Sequence, residues 1–299
     1  MNGRNYKVVV LDSYAGKPCK KYLDTFSNVT FYSYEPHELR GVKVHGHGGW
    51  VASLICQQVP EDKNISVYFV RIFNDKGGFG LDDEGMARAM QYVKGVKPDY
   101  ICCSWGMADG DNALQELTQR LMFDDNWIAL WSDSIGHADV FWAAGNDDNN
   151  DADPDIDAPQ KYMVYDTNQH IVGADRFNGV PCVFSGDGEG VDVMYPGEDT
   201  YSLDADSGKW VKWSGTSAAA PSAIGDIIAN GVGHGVSVKR YWELTASRAT
   251  RYLGMTERHN KAGWGSMNYS FENNILRTKR WPTLLSKISS SMKSAVKSW

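Results

Sequence analysis

The chain has 299 residues, 42% of them hydrophobic and 22% charged, which is enough to bury a sizeable core and excludes a disordered or low-complexity protein. Its formal net charge of −7 argues against nucleic acid as a partner, because phosphate binding needs clustered Lys and Arg. The N-terminus MNGRNYKVVVLD carries only four successive apolar residues, Val8 to Leu11, too few for a signal peptide or a membrane span. The expected location is therefore the cytoplasm, with no membrane partner.

Four short apolar runs, YKVVVLD, ISVYFVRIF, DYICCSWG and ADVFWAAGN, end in or are followed at once by Asp, Asn or Gly and read as buried parallel strands. Helix-like segments near 47–58, 82–95 and 112–125 have the length that crossover connections need. The alternation predicts an α/β fold, a doubly wound and mostly parallel sheet with helices on both faces, in one domain over residues 1–277. Ligands bind such sheets beyond the carboxyl ends of the strands. That places Asp12, Ser104 to Gly106, Gly145 and Asn146 where chemistry is expected.

Residues 147–157, DDNNDADPDID, form an acidic loop, and 170–203 read as short strands between Gly-rich turns. In WSGTSAAAPSAIG (213–225), Gly215 permits a tight turn and the alanines start a helix, predicted over 217–230 with Pro221 in its first turn. Ser217 then stands where the turn becomes the helix, near unpaired N–H groups that suit an oxyanion. The five cysteines include the adjacent Cys102 and Cys103 on a predicted buried strand and show no CxxC spacing. They read as reduced thiols, neither a disulfide framework nor a metal centre.

A serine alone means little without a base and an orienting carboxylate. Asp12 closes the first strand, His47 opens an apolar helix, and Asn146 closes FWAAGN with a side-chain amide. Singly they are also a cap, a solvated helix start and a turn residue.

Together the motifs resemble those of the subtilisin-like serine proteases, the subtilases. VVVLD is similar to the family's aspartate motif, GHGGWVA to its histidine motif, AAGN to its oxyanion motif and GTSAAAP to its serine motif, in the family's chain order. VGADRFNGVPCVFSGDGEGVDVMYPG and AGWGSMNYSFENNIL extend the likeness over roughly residues 5 to 277. The resemblance implies a serine endopeptidase acting on protein or peptide substrates, with no cofactor needed for the chemistry. Ser217 would be nucleophile, His47 base, Asp12 its orienting group and Asn146 an oxyanion donor, while Ser104, Trp105, Gly106, Ala144 and Gly145 would line the substrate site. Because all four catalytic positions are kept, a catalytically silent subtilase fold used for binding or structure is the lesser alternative. Two positions depart from the pattern: Trp50 stands where a second histidine is usual, and Ser53 replaces a common glycine. Secreted members usually carry a prosegment, and with the first strand near the start of this chain, folding is expected to proceed without one.

SWGMAD resembles the SWG-x-x-D run of the kexin and proprotein-convertase branch, which implies that Asp109 favours Arg or Lys before the scissile bond. Gly110 stands where that branch has a further carboxylate. Asp151, Asp153, Asp155 and Asp157 alternate along the acidic loop and are candidate ligands for a structural calcium, with a solvated loop as the alternative. Residues 277 to 299 hold six basic residues and no acid. Over 278–299 a basic tail is expected, with an amphipathic helix at 283–299 that packs on the protease domain or on an identical subunit or assembly partner.

Overall fold

The run YKVVVLD becomes β1 (Asn5–Asp12), the third strand across a seven-stranded sheet in a computed structural model that describes residues 4–74, 79–106, 124–146, 168–176, 179–186, 188, 190–230, 236–249 and 262–267. The other strands are β2 (Val29–Tyr34), β3 (Asn64–Arg71), β4 (Tyr100–Cys103), β5 (Asp139–Ala143), β6 (Gln169–Asp175) and β7 (Val193–Pro196), in the order β2-β3-β1-β4-β5-β6-β7. Every pairing is parallel. A separate antiparallel hairpin pairs β8 (Thr200–Leu203) with β9 (Trp210–Trp213). The predicted mostly parallel α/β sheet is thus the fold observed.

Helices α1 (Lys20–Thr25), α2 (His47–Gln58), α3 (Asp83–Val96), α4 (Asp125–Ile135), α5 (Thr216–Asn230) and α6 (Val238–Ala249) complete the described elements. In α3 the apolar stripe Met86, Ala89, Met90, Val93 packs with Trp127 and Trp131 of α4 on one sheet face, against Val9 and Leu11 of β1. Each such side chain contributes about 2 kcal/mol on burial. Strand side chains alternate, so Val8, Val10 and Asp12 point to the opposite face, where α2 packs on β1 and α5 lies along β4 to β7. The Lys63 ammonium closes the far end of α5 by donating to the carbonyls of Ile228 (2.6 Å) and Ala229 (2.8 Å).

Two expectations change. The segment expected to be helical up to residue 125 meets instead the start of α4: the Asp124 carboxylate caps the amides of Asn126 (2.9 Å) and Trp127 (3.4 Å), which makes it a beginning and not an end. Residues 112–123 lie outside the described residues. Pro221 is not in a first turn, because α5 starts at Thr216 and encloses it. Lacking an N–H, Pro221 leaves the Ser217 carbonyl, four residues back, without its helical donor.

All five cysteines are unpaired. Burial pushes the Cys102 thiol up to about 12 and holds that of Cys103 well above its ordinary value. Among the described residues no helix is long and apolar enough to cross a membrane.

Candidate active site

After β1 the chain turns toward β2 at one edge, whereas after β4 it turns toward β5 on the other side. The neighbouring carboxyl ends of β1 and β4 therefore form the crevice where ligands bind in such sheets. Asp12 and Ser104 stand there.

Asp12 is 1% exposed and its carboxylate is surrounded by donors. Ser13 gives both its amide (2.6 Å) and its hydroxyl (2.9 Å) to Oδ1. His47 Nδ1 lies 2.9 Å from Oδ1 and 3.0 Å from Oδ2. This contact needs α2 to start almost on top of β1, and Gly48 allows it: a Cβ there would meet the Asp12 Cβ at 2.8 Å and the Tyr14 Cβ at 3.0 Å. With Nδ1 donating to Asp12, the lone pair of His47 is left on Nε2. Burial works against a charged His47 ring, but the charge and hydrogen bond of Asp12 outweigh it, and the pKa rises above 6.5.

An aromatic wall flanks the base. The Trp213 ring meets the His47 ring edge-on at 5.5 Å, and Trp50 lies 5.9 Å from Trp213 and 6.4 Å from His47. Trp213 is held by its indole N–H on Ser202 Oγ (2.7 Å) within the β8–β9 hairpin. Ser53 ties α2 to that hairpin by accepting the Leu203 amide at 2.9 Å.

Ser217 is the second residue of α5. Its hydroxyl donates to the Ser104 carbonyl at 2.8 Å, so the structure joins Asp12 to His47 and Ser217 to Ser104. No Ser217–His47 hydrogen bond is made. Asn146 is exposed and fixed by Thr216, whose amide (2.8 Å) and hydroxyl (3.1 Å) meet Asn146 Oδ1. An amide N–H must face an oxygen, so the Asn146 NH2 points away from Thr216 and is available to donate. The same Thr216 hydroxyl takes the Gly145 amide (3.2 Å) and reaches its carbonyl (3.1 Å), a fold-back that requires the Gly145 φ of +103°.

Of the expected substrate-site residues, Trp105 turns its indole inward, donating to the Leu11 carbonyl at 2.9 Å among Phe73 and Trp142. Ala144 is wholly buried and Ser104 nearly so. These positions can therefore meet a peptide through backbone alone. Gly106 is the last described residue before 107–123. Asp109, the acidic loop with Asp151, Asp153, Asp155 and Asp157, and the tail 278–299 lie outside the described residues. Among the described residues no three His, Cys, Asp or Glu side chains gather as a metal site.

Two buried ionisable side chains at strand ends have no counterpart in the sequence reading. Arg71 ends β3 in register with Asp12 and is fully buried. Its guanidinium donates to Glu35 Oε1 (2.7 Å) and to the carbonyls of Leu39 (3.3 Å), Val42 (3.0 Å) and Lys43 (2.9 Å), in the stretch that leads to His47. Asp175 ends β6 with 0% exposure, and neither oxygen makes a well-formed hydrogen bond among the described residues. Burial pushes this carboxyl up to about 7, Ser266 pulling the other way. Backbone bonds from Gly197 N to the Asp175 carbonyl (2.9 Å) and from Gly215 N to the Gly197 carbonyl (2.8 Å) link Asp175 to the turn before Ser217.

The profile of the subtilase family, Peptidase S8, matches residues 7–265. An "Intracellular serine protease" of Paenibacillus polymyxa is 29% identical over 189 residues, covering 60% of this chain and 52% of that protein, so the match spans about half of that relative. Among solved structures, a lanthipeptide protease aligns with a TM-score of 0.55 at 17% identity, over 91% of this chain and 88% of the other. The prenylagaramide maturation protease PagA gives 0.54 at 20% identity over 91% and 92%. A cold adapted subtilisin-like serine proteinase gives 0.56 at 17% identity over 90% and 92%. At these identities the three structures are likenesses of fold.

Proposed function

For a chain that belongs to the subtilase family, we propose a serine endopeptidase in which Ser217 is the nucleophile, His47 the general base and acid, and Asp12 the group that orients it. The observation that carries this reading is the double grip of Asp12 on His47 Nδ1, at 2.9 and 3.0 Å. It leaves the Nε2 lone pair of His47 as the free base. Ser217 Oγ rotates away from the Ser104 carbonyl, exchanging one hydrogen bond of about 1 kcal/mol for one to His47 Nε2. Oγ then bonds to the peptide carbonyl carbon while its proton passes to Nε2. The oxyanion is met by the Asn146 NH2 and the Ser217 amide. Collapse breaks the C–N bond, the Nε2 proton leaves with the amine, and water reverses the sequence to free the acid.

The finer parts of the reading are substrate and setting. We assign Asp109 to a pocket for Arg or Lys before the scissile bond, on the SWGMAD likeness to the kexin branch. Five unpaired thiols suit a reducing compartment such as the cytoplasm. The observation on the side of a silent fold is the Ser217 hydroxyl bonded to Ser104. A fluorophosphonate separates the two: labelling of the wild type and none of Ser217→Ala is expected, whereas an unlabelled wild type would leave the silent fold. On peptide libraries, faster cleavage after Arg or Lys than after Leu or Phe, erased by Asp109→Ala, is expected. A profile dominated by aromatic residues would remove Asp109 from the pocket.

A further inference from the structure

We propose that His45 is a positioning residue for His47, holding the base at the start of α2 through an unprotonated ring nitrogen. The proposal rests on the reading of His47 as the base. Helix α2 starts with no acidic residue in its first turn and with Gly46 as a cap that offers no side chain. Its leading amides are nevertheless covered. Gly49 and Trp50 donate to the Gly46 carbonyl at 3.0 and 3.1 Å, and Gly48 donates to Ser13 Oγ at 3.4 Å. The His47 amide donates to His45 Nδ1 at 3.2 Å.

A ring nitrogen differs from the usual capping oxygens in one respect: it accepts only while it carries no proton. Protonating His45 sets a donor against a donor and releases the residue that presents the base. It also places a cation with its ring centre 6.3 Å from that of His47, opposing the charge His47 takes up during attack. The His45 side is open to solvent, so protons reach it freely. The titratable groups facing it among the described residues are His47 from α2 and, through Ser13, Asp12 of β1. The Ser13 hydroxyl touches both the His45 carbonyl (3.1 Å) and Asp12 Oδ1 (2.9 Å). Trp50 of α2 contributes its ring at 5.9 Å.

Loss of this acceptor loosens the residue that presents the base without touching the base itself, so its effect on the rate is bounded, whereas loss of His47 abolishes it. The test is the plateau rate of Ser217 labelling by a fluorophosphonate for wild type, His45→Asn and His45→Ala. Asparagine keeps an acceptor for the His47 amide but does not titrate. Wild type and His45→Asn should label at similar plateau rates, and His45→Ala about fivefold more slowly for want of the cap. Nitrogen-15 spectra of Ser217→Ala protein should show His45 protonated on Nε2 at the plateau pH. A plateau rate for His45→Ala equal to that of wild type, or an Nδ1–H tautomer at His45, overturns the proposal while leaving the triad standing. Labelling that survives Ser217→Ala or His47→Ala overturns the triad reading and this proposal with it.

Discussion

Replacing Asp175 by asparagine should flatten the pH dependence of stability. The carboxyl ionises near 3.8 when unfolded and near 7 when buried at the end of β6, so between those values the folded chain holds a proton that the unfolded chain has released. Stability therefore falls as pH rises through that window, by about 1.4 kcal/mol per pH unit and about 4 kcal/mol in all. Of this, about 2.5 kcal/mol falls between pH 5 and pH 8. An asparagine amide in its place cannot ionise. Urea unfolding of Ser217→Ala protein, chosen to avoid self-cleavage, should give the Asp175→Asn variant a gain relative to its parent that is about 2.5 kcal/mol larger at pH 8 than at pH 5. The two backbone bonds from Asp175 through Gly197 to Gly215 predict a second sign in the active protein: fluorophosphonate labelling that weakens less toward alkaline pH in the variant. An equal pH slope in parent and variant would mean that the carboxyl is ionised in the fold, and the reasoning from its burial would fail.

Because Asp12 raises the His47 pKa, the proton is held to higher pH and the midpoint of the acid limb of kcat/KM should lie above 6.5. Asp12→Asn should cut kcat on the order of 10^4-fold through loss of the tautomer, and a midpoint below 6.5 in the wild type would contradict the pairing. Asn146→Ala should lower kcat about 10^2- to 10^3-fold with little change in KM. Thr216→Val, which removes the hydroxyl and leaves only the backbone amide to hold Asn146 Oδ1, should do the same to a lesser degree, and a loss carried by KM alone would count against both. If the aspartates of the 147–157 loop hold calcium, a chelator should lower the Tm of the wild type by several degrees and not that of a variant with asparagine at 151, 153, 155 and 157. An unchanged wild-type Tm would favour the solvated loop.

The strand ends are the legible part of this chain. β1, β3, β4 and β5 are apolar runs that stop at a polar or glycine residue, and their ends carry Asp12 and Asn146, while the small residues around Ser217 mark a turn into a helix. β2 and β9 escape such a reading, because VTFYSY at a sheet edge and WVKW in a two-stranded hairpin bury too little for periodicity to separate them from loop. α4 is easily misjudged because an aspartate pair reads equally as the end of one helix or the cap of the next. Most obscure are residues whose role exists only across the fold. Thr216 fixes Asn146 across 70 residues of chain, Trp213 meets His47 from a hairpin, and His45 acts through a backbone amide. For Arg71 there is a signal, a lone cation ending an apolar strand, and burial both explains it and hides its partners. Trp105 looks like part of a binding edge but satisfies its indole inside the core.

Four of the contacts of Arg71 go to one stretch, Glu35, Leu39, Val42 and Lys43, whose regular structure amounts to the short 3-10 turn His37–Leu39. The cation that organises this stretch belongs to β3, a strand that follows it in the chain and pairs with both β1 and β2. A nascent or partly unzipped molecule thus keeps its serine but lacks an anchored base. On the triad reading, closure of the β2-β3-β1 side of the sheet would come before activity, a safety catch set by the order of assembly.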